Sequence, residues 1–415
     1  MIDLKNNKTY CPYLFRGAVM QVPDSSIVPC CRYKDDSLEY SKSFDNGYNK
    51  IWDTLRKKSL EGKQIKGCWR CYQDEQAGIK SMRESAIDTN GEISYDYKQN
   101  PKYDETQLEF LEIQTGRYCN LKCRSCGPKL STTWDEDLDK DSELIKNFFG
   151  NEHHEYINIK QLPKTNQSLS TISFDTVKHL KNVKATGGEP FLNDQFQTFL
   201  ANLVKWDIAK NIHLEVFTNC SFFPKDQYRK LIPNFKSAKI DLSLDAIEKR
   251  AEFLRKGSQW DKVTESATKW VDVSQQHTNV SVVIGHTLTI YNVLYLKEFI
   301  NWIANYFPKS IITKNFLDLH LAQTPQYLSL SNLSISNQSK IKNLVLQHKD
   351  QLLLTYQSNK ELISIIEKSY DKILKGLNYA SSDLSTEFFE KANLIDSVRN
   401  ENWRTTFLEL SEALT

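Results

Sequence analysis

Along residues 110–322, short apolar runs alternate with longer stretches whose apolar residues fall at helical spacing. The runs are FLEIQT (110–115), VKATG (183–187), IHLEVFT (212–218), AKIDLSL (238–244), VSVVIGHTL (280–288) and LDLHLA (317–322). Between most of them lie amphipathic segments such as NDQFQTFLANLVKW and LYLKEFINWIANYF. This alternation predicts parallel strands joined by helical crossovers. Six repeats predict an α/β fold built as a partial (β/α)6 TIM-like barrel rather than a complete eightfold one. Beyond about residue 331 the strand signal stops, and helical patterns such as ELISIIEKSYDKILKGL continue to the end. Upstream, the polar, turn-rich stretch from about 85 to 106 reads as a linker. The expected domains are therefore a small cysteine-rich one with its linker (1–104), the barrel (105–330) and a helical region (331–415).

A length of 415 residues and 40% apolar content suit a soluble chain of two or three domains. The formal net charge of +2 gives no electrostatic reason to expect nucleic acid or an anionic membrane as partner. The segment MIDLKNNKTY lacks the apolar core of a signal peptide, and no apolar run approaches membrane-spanning length. The expected location is the cytoplasm, where disulfides are rare. Nine cysteines then need another explanation.

Three of them, Cys119, Cys123 and Cys126, stand in GRYCNLKCRSCGPK at the end of the first expected strand. At i, i+4 and i+7 they would share one face of a helix and make a buried stripe. The Gly-Pro that follows Cys126 would stop such a helix before it packed. Zinc would call for a fourth ligand nearby, and no Cys or His lies within about twenty residues. Three thiolates without a fourth suit a [4Fe-4S] cluster with one iron open to another ligand. ATGGEP (185–190) closes the second expected strand. Gly187 and Gly188 let the backbone approach a ligand, and Glu189 can pair with a cationic amine.

CxxxCxxC after the first barrel strand, with GGE after the second, resembles the radical S-adenosylmethionine (SAM) enzymes. The resemblance implies a catalytic [4Fe-4S] cluster on Cys119, Cys123 and Cys126, its open iron chelating the amino and carboxylate groups of SAM. It implies reductive cleavage of SAM to methionine and a 5′-deoxyadenosyl radical that abstracts a substrate hydrogen. It places Thr186 beside the SAM amino group. DLSLDAIEKRAEFLRKG resembles the fourth-strand end of anaerobic sulfatase-maturating and peptide-modifying members. That implies Ser243 on the SAM ribose and Arg255, twelve residues later, on its carboxylate. Read alone, Arg255 is equally a solvated surface charge, and Asp245 a turn or helix cap. Ala246 stands where the family carries glycine, and Ser125 where an aromatic is frequent.

The segment CPYLFRGAVMQVPDSSIVPCCRYKDD, followed by IWDTLRKKSLEGKQIKGCWRCYQDEQAG, resembles the Twitch auxiliary-cluster module, a shortened relative of the SPASM domain. It implies a second [4Fe-4S] cluster on Cys11, Cys30, Cys68 and Cys71. The residues alone fit a Cys₄ zinc ribbon as well, and Cys31 competes with Cys30. Cys220, in FTNCS, reads as a small near-core residue. His286 and His320 read as core histidines, or as lining a substrate pocket if they point inward. His153 and His154 read as solvent-facing, and TTWDEDLDKDSE (132–143) as an acidic helix face.

The function expected from the resemblance is radical abstraction from a peptide or protein side chain, with net oxidation or cross-linking assisted by the auxiliary cluster. An electron donor such as flavodoxin or ferredoxin is implied. The alternatives are dehydrogenation of a sugar or nucleoside-like small molecule, or a non-catalytic scaffold stabilised by metal.

Overall fold

The computed structural model describes residues 7–89 apart from 22–25, 36, 39, 43, 45, 77 and 79; 108–149 apart from 141; 159–161, 163–165 and 169; 172–377; and 385–414. It is a mixed α/β fold with mostly parallel strands and many helices. The strands are β1 (Gly17–Met20), β2 (Ile27–Val28), β3 (Phe110–Gln114), β4 (Lys122–Cys123) and β5 (Asn182–Thr186). They continue with β6 (His213–Thr218), β7 (Ser237–Ser243), β8 (Arg255–Lys256), β9 (Val280–Leu288) and β10 (Leu317–Leu321). All six runs expected as strands are strands: β3, β5, β6, β7, β9 and β10.

The chain forms two compact units. One comprises Met1–Arg117, Leu162–Val216 and Asp226–Ala238; the other comprises Tyr118–Gln161, Phe217–Lys225 and Lys239–Thr415. In the first, neighbouring strands run β2-β1-β3-β5-β6. All these pairs are parallel except β1 with β2. Alternation explains β3 and β5: Leu111, Ile113, Val183 and Ala185 are buried, while the residues between them face the other way. That second face carries a ladder of charge, because register sets Glu112 opposite Lys184 and Lys184 opposite Glu215. The helix Asp194–Lys205 starts where the Asn193 side chain accepts a hydrogen bond from the Phe196 amide. It buries Phe196, Phe199, Leu200 and Leu203, the i, i+3, i+4, i+7 stripe read from sequence.

Two features of this unit escaped the pattern. β1 lies in the cysteine-rich segment yet pairs in parallel with β3, Gly17 opposite Phe110. The stretch expected as a linker from about 85 is helical as far as Thr89, in Met82–Thr89. A capping box starts that helix: the Ser81 amide donates to Glu84 Oε2 and the Glu84 amide to Ser81 Oγ. The rest of the expected linker, like His153 and His154, lies outside the described residues.

In the second unit β9 neighbours both β7, which enters the unit at Lys239, and β10. β4 and β8 form a separate antiparallel pair. Past β10 come the helices Ile335–Thr355, Lys360–Leu377 and Ser385–Arg399, then Trp403–Thr406 and Leu408–Leu414. The helix Lys360–Leu377 buries Leu362, Ile365, Ile366, Tyr370, Ile373 and Leu377 along one face. Among the described residues no helix is long and apolar enough to cross a membrane.

Candidate functional site

The segment from Cys119 to Cys126 is a loop, not a helix, so the three cysteines do not form a helical stripe. Side chains just downstream hold the loop open by taking its carbonyl groups. Thr133 Oγ1 donates to the Cys119 oxygen at 3.0 Å and Ser131 Oγ to the Leu121 oxygen at 2.5 Å. Trp134 Nε1 donates to the Cys123 oxygen at 3.2 Å. The loop's one regular piece is β4, which sets Cys123 opposite Arg255 of β8.

This arrangement brings the three thiols together around Leu121. Cys126 donates a hydrogen bond to Cys123 and lies within electrostatic reach of Cys119. That bond, with help from the Arg255 charge, draws the Cys123 pKa down to about 7, while Cys126 is held well above the ordinary thiol range. Asn219 Nδ2 approaches Cys119 Sγ at 3.7 Å. Asn219, in FTNCS, also bonds Asn120 and Ser221, a role its sequence context did not reveal. Cys220 is fully buried, with its Sγ 3.6 Å from the Val263 oxygen.

Arg255 is not a solvated surface charge. Its Nη2 pairs with Asp245 at 2.8 Å, and its Nη1 stands 4.0 Å from Cys123 Sγ. Its buried Nε has no hydrogen-bond partner among the described residues. Asp245 is correspondingly not a helix cap: its Oδ1 accepts from the Thr287 amide and its Oδ2 from Arg255. Ser243 is the half-buried last residue of β7. His286 is 1% exposed, with Nδ1 3.0 Å from the Leu244 oxygen and Nε2 3.3 Å from Asn292 Nδ2. Burial lowers its pKa to about 4, so it is a neutral core histidine. His320 is exposed and pairs with Asp318.

The acidic stretch 132–143 is not wholly a solvated face. Asp137 is fully buried between Lys122 and Arg399, 2.8 Å from each. Next to it in the loop, Arg124 pairs with Asp396 at 2.5 Å and Glu401 at 2.6 Å, beneath the Phe253 ring. Arg124 is thus neutralised from the C-terminal segment, whereas Lys122 is neutralised by Asp137 and Glu136 just downstream of the loop.

In the first unit, the loops after β3 and β5 are tied together. The Gly188 amide donates to the Gly116 oxygen at 2.7 Å. Gly187 has φ +91°, and a Cβ there would stand 2.8 Å from the Thr115 nitrogen, so only glycine fits. Thr186 ends β5, and its oxygen accepts from the Thr115 amide. Glu189 is fully buried, with Oε1 accepting from the Phe191 amide at 3.2 Å.

The same unit gathers four N-terminal thiols. Cys68 interacts electrostatically with Cys11, Cys30 and Cys71; Cys30 does so with Cys11 and Cys71, and Cys11 with Cys71. Every pair among the four is therefore within electrostatic reach. Burial raises the pKa of Cys11 and Cys30 to about 12. Gly67 precedes Cys68 because a Cβ there would meet the Tyr33 ring at 2.4 Å. After the CxxC, Glu75 holds Arg83 through both oxygens at 2.8 and 2.7 Å, and the Arg83 charge acts on Cys11 and Cys68. Cys31 turns elsewhere, to Glu112 and to Met82 Sδ at 4.0 Å. A cavity of about 270 Å³ separates this group from the charged face of the strands; Tyr13, Cys30, Met82, Glu112, Lys184 and Glu215 line it.

Among the described residues, no three Cys, His, Asp or Glu side chains are arranged to hold a single metal ion. Thiols that hold a four-iron cluster bind different irons, so both thiol groups still suit that cofactor in donor type and number.

No family model matches the sequence, and neither does any curated protein. Solved structures do resemble it. His-tagged anSMEcpe with bound AdoMet shares 15% identity over 60% of this chain and 61% of that one, at a TM-score of 0.41. Streptococcus suis SuiB bound to S-adenosylmethionine shares 13% over 76% and 63%, at 0.35. TsrM from Kitasatospora setae, a radical S-adenosylmethionine methyltransferase with cobalamin and a [4Fe-4S] cluster bound, shares 11% over 54% and 35%, at 0.32. The chain spans less than two thirds of the length of each.

Proposed function

We propose that this chain is a radical SAM enzyme acting on a peptide or protein side chain. The observation that carries the reading is the convergence of Cys119, Cys123 and Cys126 on a loop whose carbonyls are pinned from outside. The [4Fe-4S] cluster they would hold, once reduced by a flavodoxin or ferredoxin, supplies the electron that cleaves bound SAM into methionine and a 5′-deoxyadenosyl radical. The chain's own groups bind and orient. Arg255 offers its unused Nε to the SAM carboxylate while Asp245 fixes its far end. Ser243 serves the ribose, and Thr186, Gly187, Gly188 and Glu189 serve the amino end. Glu189 would have to share its carboxylate between the amine and the Phe191 amide.

Cys11, Cys30, Cys68 and Cys71 would hold the auxiliary [4Fe-4S] cluster, with no iron left for substrate. A partial barrel and a Twitch-like N-terminal module belong to the same reading. Anaerobically reconstituted protein should contain about eight iron and eight sulfide per chain and form 5′-deoxyadenosine from SAM and dithionite. Iron-free protein holding zinc at the N-terminal thiols would sink the auxiliary assignment; absence of 5′-deoxyadenosine would sink the enzymatic one.

The different neighbours of the two adjacent thiols make a sharper expectation. Cys30→Ala should cost the auxiliary cluster, lowering iron by about half, whereas Cys31→Ala should leave iron and sulfide unchanged. The reverse pattern in metal analysis would exchange their roles.

A further inference from the structure

Outside both thiol groups, the second unit holds a cavity of about 660 Å³ between β7, β9, β10 and the helix Lys360–Leu377. It lies toward the N-terminal ends of the strands, touching Lys239 on β7, Val283 on β9 and Leu317, the first residue of β10. Its wall carries five lysines and two aspartates. The aspartates are already satisfied. Asp371 pairs with Lys349, which is not part of the wall, at 2.9 Å. Asp318 pairs with His320 at 3.3 Å and has Lys372 at 3.7 Å. Lys368, by contrast, donates to neutral oxygens, the Lys314 carbonyl and Asn315 Oδ1. Lys314 and Lys375 are exposed at the rim. The cavity therefore carries a positive excess that carboxylates of the wall do not cancel.

We propose that this cavity binds an acidic segment of a peptide. Among the described residues its wall holds no aromatic side chain to stack a base and no arginine fork for a phosphate. Several flexible ammonium groups spread over about 660 Å³ suit several carboxylates spaced along a chain. Side chains alternate along β7, so Lys239 shares a face with Ser243, and the fully buried Asp241 stands between them. The cavity is therefore a docking site apart from the SAM end of the function proposed above.

Fluorescence anisotropy with a labelled peptide carrying four consecutive glutamates tests this, against matched peptides carrying serines or lysines. The glutamate peptide should bind the full-length protein, more weakly as salt is raised. The variant Lys314→Glu/Lys368→Glu/Lys375→Glu should weaken it at least tenfold, and Lys375→Glu alone should weaken it measurably should the triple variant fail to fold. Equal binding by these variants, or by the serine peptide, overturns the proposal. Inorganic phosphate displacing the peptide at matched charge overturns its assignment to a peptide. The titration needs neither turnover nor SAM. Loss of peptide binding with normal 5′-deoxyadenosine formation would overturn this proposal alone, and the converse would overturn the radical reading alone.

Discussion

Replacing Cys119, Cys123 or Cys126 with alanine should abolish 5′-deoxyadenosine formation from SAM under anaerobic, reducing conditions. Each thiol would hold a different iron, so none can substitute for another, and no other cysteine lies in the loop. The effect should exceed that of any binding substitution, because losing a charge-assisted contact costs only about 1.5–3 kcal/mol, or one to two decades in affinity. The variant lacking all three thiols should retain about four iron at Cys11, Cys30, Cys68 and Cys71. Undiminished 5′-deoxyadenosine from any single variant, measured by chromatography against the parent protein, would end the assignment.

Arg124→Met should destabilise the protein by about 3–5 kcal/mol, because it removes a buried charge-pair member and leaves the Asp396 carboxylate without a cation. The Arg124 side chain is 2% exposed, and those of its partners Asp396 and Glu401 are 9% and 10% exposed. Asp396 keeps a bond from the Trp403 amide and Glu401 keeps Lys256, so neither carboxylate is wholly abandoned. The companion Arg124→Met/Asp396→Leu should recover part of the loss, since an apolar pair of similar volume avoids the stranded charge. Urea unfolding of the reconstituted protein checks both variants. A loss under about 1 kcal/mol for Arg124→Met would mean that the network is solvated and contributes as surface pairs do.

Legibility in the sequence followed length and period. The six longer strands and the helices between them repeat their pattern often enough to be read. β4 and β8 are two residues each, too short to show any alternation, although β4 sets Arg255 opposite Cys123. β1 was hidden because its four residues are all buried, and a short, wholly apolar run carries no period. The three loop cysteines were legible through spacing alone. The ion pair of Arg255 with Asp245 was not: ten residues separate them in sequence, and only the return of β8 closes it. The different neighbours of Cys30 and Cys31 were not legible either, because composition does not encode the surroundings of two adjacent side chains. Asp137 looked like one acid among many because one of its two partners, Arg399, is remote in sequence.

That remoteness has a consequence for how the protein is made. Asp396 follows Arg124 by 272 residues, and Arg399 follows Asp137 by 262. At about 5–20 residues per second, the ribosome delivers the neutralising residues roughly 15–50 s after the cysteine loop has emerged. During that interval Arg124 and Asp137 lack Asp396 and Arg399, the partners against which they are buried in the finished protein. Cys123 lies between these two delayed partnerships, so a nascent chain stalled before Asp396 should react faster with a thiol reagent at Cys123 than the completed chain does.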